Sequence, residues 1–207
     1  MGVVSALTVV AATGLEARAV RRCAPGATIL RTGIGLRRLR APVPAGPVIT
    51  CGLAGALLTG VATGTVIVPD RVLRPDGGWI TCDPPMVDAL VAAARRLGME
   101  PVRGPLATVT ALVRGDARGR LARLGCVAAD METGLLETAR LAAVRVVLDT
   151  PDREISDLWE RPAAALLRPA LWAEAVWLSR EAPRCAAQAG AVLAAAMPML
   201  RAELAQT

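Results

Sequence analysis

Four acidic residues stand where short apolar runs end, and their side chains could do chemistry: Glu16, Asp130, Glu132 and Asp149. A carboxylate accepts hydrogen bonds from hydroxyl groups, and a carboxyl group among apolar neighbours tends to have a raised pKa, as a general acid needs. The chain contains no His. This excludes Ser-His-Asp and Cys-His nucleophile systems, His-ligated metals and imidazole acid–base catalysis. Proton transfer therefore falls to carboxylates, a thiol or water.

The charge and the cysteines exclude further classes of protein. The net charge of +6 comes from Arg alone, because the chain has no Lys. The Arg residues are dispersed and no known nucleic-acid-binding module is visible, so we expect no nucleic-acid partner. The five cysteines lack a CxxC pair, which is poor spacing for zinc and forms no disulfide framework. We therefore expect reduced thiols, a cytoplasmic location and no metal or organic cofactor.

Two apolar segments bear on membrane association. Met1–Ala12 lacks a basic n-region, so we interpret it as a first strand rather than a signal peptide. The late apolar run Ala189–Leu200 is too short to span a bilayer and contains Pro198. These features favour a soluble protein.

Short Val, Ile, Leu and Ala runs alternate with helical patterns along the chain. This alternation predicts an α/β fold, a three-layer αβα sandwich whose central mixed sheet is mostly parallel and covered on both faces. We treat residues 1–207 as one domain that is mainly helical from about Ser156. The predicted strands are Ala6–Ala12, Thr28–Thr32, Val48–Cys51, Thr65–Val72, Ala107–Val113, Cys126–Ala129 and Val144–Leu148.

Two helices are predicted between these strands. Pro84–Leu97 places four apolar residues on one face, and its two prolines suit a first turn. Glu132–Leu141 has the position of a crossover helix. From Ser156 onward the pattern is helical, with breaks expected near Pro162, Pro169 and Pro183. Ligands of open α/β sheets gather where strands end, which draws attention to the polar residues at those ends: Glu16, Gly52, Asp130, Glu132 and Asp149.

Six stretches, in their order along the chain, resemble the nucleoside phosphorylase and nucleosidase superfamily. They are Thr13–Arg18 (TGLEAR), Thr32–Gly35 (TGIG), Thr50–Gly55 (TCGLAG), Gly64–Val68 (GTVIV), Asp130–Glu132 (DME) and Arg145–Asp149 (RVVLD). The resemblance covers about Val9–Asp149. It implies cleavage of the N-glycosidic bond of a purine nucleoside, in particular an adenine nucleoside.

The resemblance assigns roles to three residues near the later strand ends. Met131 would pack against the sugar, and Glu132 would accept hydrogen bonds from the ribose hydroxyls. Asp149 would protonate or hydrogen-bond the departing purine, whose developing negative charge must be neutralised. The alternatives are that Glu132 only favours a helix start, and that Asp149 only forms the turn before Pro151.

The first loop leaves two reactions open. The nucleosidase branch implies that Glu16 positions the attacking water, whereas the phosphorylase branch implies that Gly14 and Arg18 bind phosphate as a cosubstrate. A solvated helix start is the third interpretation of these residues.

A group of small residues follows, for which tight packing is the alternative to ligand contact. Gly52, Ala54 and Gly55 would form a loop that lets ribose and base approach the backbone, and Thr50 would offer a hydroxyl nearby.

The chain departs from the pattern of the superfamily at Leu53 and Leu148, where many relatives have polar residues. These substitutions, with Gly77–Asp83 (GGWITCD), are similar to the hopanoid-associated phosphorylases, whose substrate would be adenosylhopane. A lipid substrate would favour peripheral membrane contact through apolar residues with basic neighbours, although core or dimer packing is the alternative. These residues are Leu171, Trp172, Val176, Trp177, Val192, Leu193 and Met197, with Arg180, Arg184 and Arg201.

Three hypotheses for function follow. The first is hydrolysis or phosphorolysis of a purine nucleoside such as adenosylhopane. The second is a nucleosidase for substrates like methylthioadenosine, S-adenosylhomocysteine or futalosine. The third is a catalytically degenerate nucleoside-binding protein. The missing Arg at Pro47 tilts the choice of reaction towards hydrolysis, and the resemblance leaves a homodimer open.

Overall fold

The structure is a computed structural model that describes residues 7–39, 46–160 and 167–205. The predicted start of the first strand at Ala6 and the predicted break near Pro162 lie outside these residues. Five cysteines fall inside them, and all five are free thiols.

Nine strands form one mixed sheet within the described part of the chain. Hydrogen-bonded neighbours run in the order β2-β1-β3-β8-β7-β5-β6, and β9 pairs with both β3 and β4. Five of the pairs are parallel, and β3 with β8, β4 with β9 and β5 with β6 are antiparallel. The strands are β1 Thr8–Ala11, β2 Thr28–Arg31, β3 Val48–Ala56, β4 Val66–Ile67, β5 Arg71–Leu73, β6 Trp79–Thr81, β7 Leu106–Thr108, β8 Ala128–Asp130 and β9 Leu141–Asp149. The predicted mixed, mostly parallel sheet is confirmed.

Helices cover both faces of this sheet. The α-helices are α1 Gly14–Cys23, α2 Pro84–Arg96, α3 Asp116–Arg123 and α4 Trp172–Leu204. Along β7, Leu106 joins the large core with Leu90 of α2 and Leu193 of α4, whereas the next residue, Ala107, joins a second core against Leu121 of α3. Because successive strand residues point to opposite faces, α3 lies on the face opposite α2 and α4. The αβα layering follows.

The predicted helix over Pro84–Leu97 is confirmed as α2, with its apolar stripe buried. Asp83 caps it by accepting a hydrogen bond from the Met86 backbone N–H at 3.2 Å, and Pro84 and Pro85 occupy the first turn, where no N–H is needed.

The predicted helix over Glu132–Leu141 is wrong. The chain forms one 3₁₀ turn, Thr133–Leu135, and then enters β9 at Leu141. The Asp130 carboxylate accepts hydrogen bonds from both the backbone N–H and the hydroxyl of Thr133. The backbone N–H of Gly134 donates to the Thr108 hydroxyl at 2.7 Å. These buried contacts bind the turn to the ends of β7 and β8, so the helix does not continue.

The C-terminal helix passes through a predicted break. Pro183 and Pro198 both lie inside α4, although a proline in a helix interior costs about 3 kcal/mol. The reason is tertiary packing: α4 lies against β3, β9, α1 and α2. At the crossing with α1, a Cβ on Gly190 would be 3.1 Å from the Ala19 carbonyl oxygen. The break near Pro169 is present as a 3₁₀ turn, Pro169–Leu171.

Among the described residues, one helical stretch, Pro169–Leu204, is long and apolar enough to cross a membrane, judged by length and composition only. Half of its most apolar segment is buried in the protein, however. Val192 and Leu193 have no exposed surface, as core packing requires, whereas Trp172 and Val176 are 58% and 51% exposed.

Three strands differ most from those predicted, and smaller differences include β8, which begins at Ala128 rather than Cys126, and β9, which begins at Leu141 rather than Val144. Thr65–Val72 divides into β4 and β5, because Pro69 between them cannot donate a ladder hydrogen bond. Ala107–Val113 is a strand only to Thr108. Val48–Cys51 continues to Ala56, so β3 includes the residues expected to form a small-residue loop. The elements β6 and α3 were not predicted.

Candidate functional site

Glu16 is fixed in the first turn of α1 by four hydrogen bonds to two residues, Thr13 and Leu53. Its Oε2 atom accepts hydrogen bonds from the backbone N–H and the hydroxyl of Thr13, at 2.7 and 2.8 Å, and the Thr13 hydroxyl accepts from the Glu16 N–H in return. This reciprocal capping box starts the helix. The other oxygen, Oε1, accepts from the backbone N–H of Leu53 in β3 at 2.9 Å. With 4% exposure, the carboxylate is held against the sheet rather than in solvent.

Gly52 makes room for this carboxylate. A Cβ at Gly52 would overlap Glu16 Oε1 and lie 2.9 Å from Arg145 Nη1. The residue belongs to β3, so the expected glycine loop is wrong at this point. Because Gly52 has no side chain, the Glu16 carboxylate and the Arg145 guanidinium can pack against the strand at this position.

Arg145 is the centre of the site, although its sequence position predicted no role for it. It lies in β9 opposite Gly52 and is 1% exposed. Its Nη2 atom is 2.5 Å from Asp130 Oδ2, 3.5 Å from Glu132 Oε2 and 3.0 Å from the Thr133 hydroxyl. Burial alone would lower the pKa of Arg145, but the charges of Asp130, Glu132 and Glu16 raise it above its ordinary value. We call Glu16, Asp130, Glu132 and Arg145 the acidic cluster.

Glu132 follows the end of β8 and is 5% exposed. Its Oε1 atom accepts a hydrogen bond from the backbone N–H of Gly35 at 3.1 Å. Burial raises the pKa of Glu132 to about 7, against the opposing charge of Arg145 and with further increases from Asp130 and Glu16. The side chain is thus close to its titration point near neutral pH.

Asp149 stands at the other end of the site, at the end of β9 and opposite Gly55 of β3. It is 7% exposed and forms a close ion pair with Arg118 of α3. Burial raises the pKa of Asp149 above its ordinary value, and the charge and hydrogen bond of Arg118 oppose that increase. Arg118 also donates from Nε to Glu154 Oε1 at 3.1 Å and from Nη1 to the Ala56 carbonyl. We call Arg118, Asp149 and Glu154 the Asp149 cluster.

A cavity of about 40 Å³ lies between the two clusters. Gly55, Arg118 and Asp149 line one side, and Asp130 and Met131 line another. Asp130 therefore belongs both to this cavity and to the acidic cluster. A larger hollow of about 500 Å³ lies between the β5–β6 hairpin and α3, and Val109 lines both it and the small cavity.

Four further residues were predicted to belong to the site: Thr50, Ala54, Gly14 and Arg18. Thr50 is fully buried and its hydroxyl lies 2.8 Å from that of Thr133, which supports the turn after Asp130. Ala54 is buried within β3. Gly14 and Arg18 are exposed, and Arg18 stands two residues after Glu16, on a different side of α1. The structure does not bring Arg18 to the acidic cluster.

Two arginines were missed for different reasons. Arg145 interrupts an otherwise apolar strand, and a charged residue there is almost never fully buried without partners, so the sequence carried a signal. Arg118 lies in a short polar helix that looks solvated, and only the tertiary structure places it beside Asp149.

Comparison with known proteins gives one family and one fold. The sequence profile of the phosphorylase superfamily matches residues 44–161, more than half of the chain. Among curated protein sequences, none matches this chain significantly.

Solved structures similar to this chain include nucleosidases and a hydrolase. Futalosine hydrolase of Helicobacter pylori has a TM-score of 0.69 at 10% identity, covering 94% of this chain and 99% of its own. S-adenosylhomocysteine nucleosidase from Streptococcus pyogenes, in complex with 5-methylthiotubericidin, has a TM-score of 0.69 at 16% identity, covering 95% and 97%. The 5′-methylthioadenosine/S-adenosylhomocysteine nucleosidase from Neisseria meningitidis, with methylthio-immucillin-A, has a TM-score of 0.68 at 17% identity, covering 93% and 98%. At these identities the likeness shows the fold.

Proposed function

Because the chain belongs to the phosphorylase superfamily, we propose that it is a nucleosidase that hydrolyses the N-glycosidic bond of an adenine nucleoside. One observation carries this proposal: the carboxylates of Asp130 and Glu132 pair with the buried Arg145 guanidinium, and Glu16 packs against the same strand position at Gly52. Asp130 also lines a small cavity with Asp149 and Met131. The solved structures with the same fold include nucleosidases bound to nucleoside analogues, which supports a nucleoside as ligand.

The acidic cluster is suited to a cationic sugar. With its three carboxylates ionised, one guanidinium leaves an excess of two negative charges in a region shielded from water. Breaking a glycosidic bond passes through an oxocarbenium-like transition state, and fixed charges in a poorly solvated site stabilise such a state strongly. A positive sugar also favours the ionised form of Glu132, whose pKa is about 7 in the free protein.

Each acid then has its own task. Glu132 accepts hydrogen bonds from the ribose hydroxyls, with Met131 packed against the sugar. Glu16 holds the attacking water and accepts its proton. The four hydrogen-bond contacts of Glu16 fix its orientation, and such fixed positioning is a large part of catalysis by general bases. Asp149 assists departure of the base, either by protonating or by hydrogen-bonding it.

Water fits this site better than phosphate. An incoming phosphate dianion would meet Glu16 and Glu132, and like charges at close range repel. Arg18, which a phosphorylase mechanism would use together with Gly14, is exposed and lies on a different side of α1. We therefore place the reaction with the hydrolases.

A further question is which chemical group the substrate carries at the ribose 5′ carbon. The related structures are enzymes of methylthioadenosine, S-adenosylhomocysteine and futalosine, whereas the sequence patterns resemble those of hopanoid-associated phosphorylases. The exposed Trp172 and Val176 on α4, with Arg153 stacked on Trp177 at 4.3 Å, would suit a lipid-bearing substrate at a membrane surface.

The test is release of free adenine by the purified full chain. 5′-Methylthioadenosine, futalosine and adenosylhopane are each incubated with and without inorganic phosphate, and bases and sugars are separated by chromatography. We expect adenine from an adenine nucleoside and a free reducing sugar, at a rate that phosphate does not change. A sugar 1-phosphate as the product would replace hydrolysis by phosphorolysis. Tight nucleoside binding without any base release would instead identify a binding protein.

A further inference from the structure

The loop from Thr32 to Leu36 follows β2 and contacts Glu132. Three of its residues have positive φ angles: Gly33 at 75°, Gly35 at 61° and Leu36 at 57°. Glycine adopts such backbone easily, but in leucine the β-carbon comes too close to a neighbouring carbonyl oxygen. Leu36 is the one non-glycine residue with a positive φ in the described part of the chain. Residues held in strained backbone cluster at functional sites, which draws attention to this loop.

Packing of the Leu36 side chain offsets the cost of its backbone. The side chain lies against a small buried apolar cluster that includes Leu136. Leu136 ends the 3₁₀ turn that directly follows Glu132. At its base the loop is closed by the Arg38 backbone N–H, which donates to the Thr32 carbonyl at 2.7 Å. The loop is therefore bound to the same turn that carries Glu132.

This arrangement directs a backbone N–H at the Glu132 carboxylate. The Gly35 N–H donates to Glu132 Oε1 at 3.1 Å, and Arg145 Nη2 lies 3.5 Å from Oε2. One oxygen is thus held from the loop and the other from β9. An ionised carboxylate has about four lone-pair sites, so these two contacts leave acceptor capacity for hydroxyl groups.

We propose that Gly35 is a positioning residue: its backbone N–H, held by the strained Thr32–Leu36 loop, orients the Glu132 carboxylate so that its free lone pairs meet the ribose hydroxyls. This inference rests on the proposed function and adds a group that acts through Glu132 rather than on the substrate. Hydrogen bonds to sugar hydroxyls strengthen in the transition state, so a misplaced carboxylate lowers kcat more than it raises KM.

The same contact affects the charge of Glu132. Burial raises the pKa of Glu132, Arg145 of β9 lowers it, and Asp130 of β8 and Glu16 of α1 raise it further. The Gly35 hydrogen bond lowers this pKa, because a donor to the charged form favours that form. Loss of the Gly35 contact should therefore raise the pKa. A smaller fraction of the protein would then carry the ionised carboxylate at neutral pH.

Gly35→Ala is the main test. A Cβ on Gly35 would have the Met131 carbonyl oxygen 4.0 Å away, so the substitution adds backbone strain without a steric clash. We expect the backbone to relieve that strain by moving towards negative φ, which turns the N–H away from Glu132. With the nucleoside that the wild type cleaves fastest among the three named above, kcat should fall by about 10-fold with little change in KM. The pH at half-maximal kcat/KM should rise by about one pH unit.

Two further variants separate positioning from a general loss of stability. Gly35→Asn should recover most of the wild-type kcat and pH profile, because Asn tolerates left-handed backbone better than Ala does. Gly98→Ala is the matched control: Gly98 has a φ of 74° in an exposed turn after α2, with open space around a Cβ. It should destabilise the fold similarly and leave the kinetics unchanged. Equal losses in Gly35→Ala and Gly35→Asn, or a fall in kcat at an unchanged pH midpoint, would overturn the assignment.

A titration followed by NMR separates this inference from the proposed function. The side-chain carboxyl signals of the glutamates are recorded against pH in the full chain, and Glu132→Gln identifies the signal of Glu132. Gly35→Ala should raise the titration midpoint of that signal, and Gly98→Ala should not. A raised midpoint in a protein that releases no base would reject the nucleosidase and retain the contact between loop and carboxylate. Base release with an unmoved midpoint would reject the positioning role alone.

Discussion

The acidic cluster and the Asp149 cluster each contain a buried arginine, but they differ in net charge and in the elements that hold that arginine. Arg145 lies in the middle of β9 with Asp130 and Glu132 as ion-pair partners and Glu16 packed on the same strand position at Gly52, and all four side chains are buried. Arg118 comes from a short helix and faces two carboxylates, of which Glu154 is partly exposed. The first arrangement suits a cation formed on the sugar. Under the proposed function, the second lies at the small cavity where the base would leave.

The largest expected effect is on activity, and it tests whether the acidic cluster takes part in the reaction. Glu16→Gln should reduce kcat/KM for an adenine nucleoside by about 10²–10⁴-fold, because an amide cannot accept the proton of the attacking water. Steady-state adenine release measures this loss. The exposed Glu137→Gln is the control and should retain full activity. A Glu16→Gln variant with wild-type kcat would remove the acidic cluster from the mechanism.

The second effect concerns stability. Arg145→Met should lower the free energy of unfolding by about 3–5 kcal/mol, because it leaves buried carboxylates without their cation. Arg118→Met should lower it by less, since the smaller Asp149 cluster can relax towards solvent through Glu154. Urea titrations of both variants measure the difference. Equal losses in the free energy of unfolding would mean that the two arginines contribute equally to stability.

The third effect depends on pH. The pKa of Glu132 is about 7 in the folded protein and ordinarily 4.5, so the folded state holds this proton more tightly than the unfolded chain. Its contribution to stability is therefore complete below about pH 4.5 and is lost as pH rises to about 7, by about 3 kcal/mol in total. Urea unfolding at several pH values should show this decline in the wild type. Glu132→Gln should lack that part of the decline, and Glu137→Gln should keep it.

The smallest effect compares two glycines of β3. Gly52→Ala would press on Glu16, which is tied down at both oxygens, and should cost about 1–3 kcal/mol of stability together with activity. Gly55→Ala meets the end of Asp149 at 2.9 Å, a contact that a small shift relieves, so we expect a milder loss. Thermal unfolding and adenine release on both variants test the order. The reverse order would mean that the Asp149 cluster is the more rigid one.

Much of this protein could be predicted from local patterns. Alternating apolar runs gave the α/β class, and the apolar stripe and prolines of Pro84–Arg96 gave α2, because both signals act within a few residues. Glu16, Glu132 and Asp149 were identified by type and by their places at strand ends. The structure puts Glu132 against Arg145 and Glu16 against Gly52 on the neighbouring strand, and Asp149 lines the small cavity together with Asp130. Their catalytic roles stay predictions.

The partners of those acids were decided by the tertiary structure. The chain carries Glu16 and Arg145 far apart in sequence, and only the pairing of β3 with β9 places both against Gly52. Likewise, the turn after Glu132 is 3₁₀ rather than helix because Asp130 and Thr108 hold it. Sequence determines which groups are available, since that is a matter of side-chain chemistry. Which charges neutralise one another depends on long-range packing, because only burial makes an unpaired charge costly.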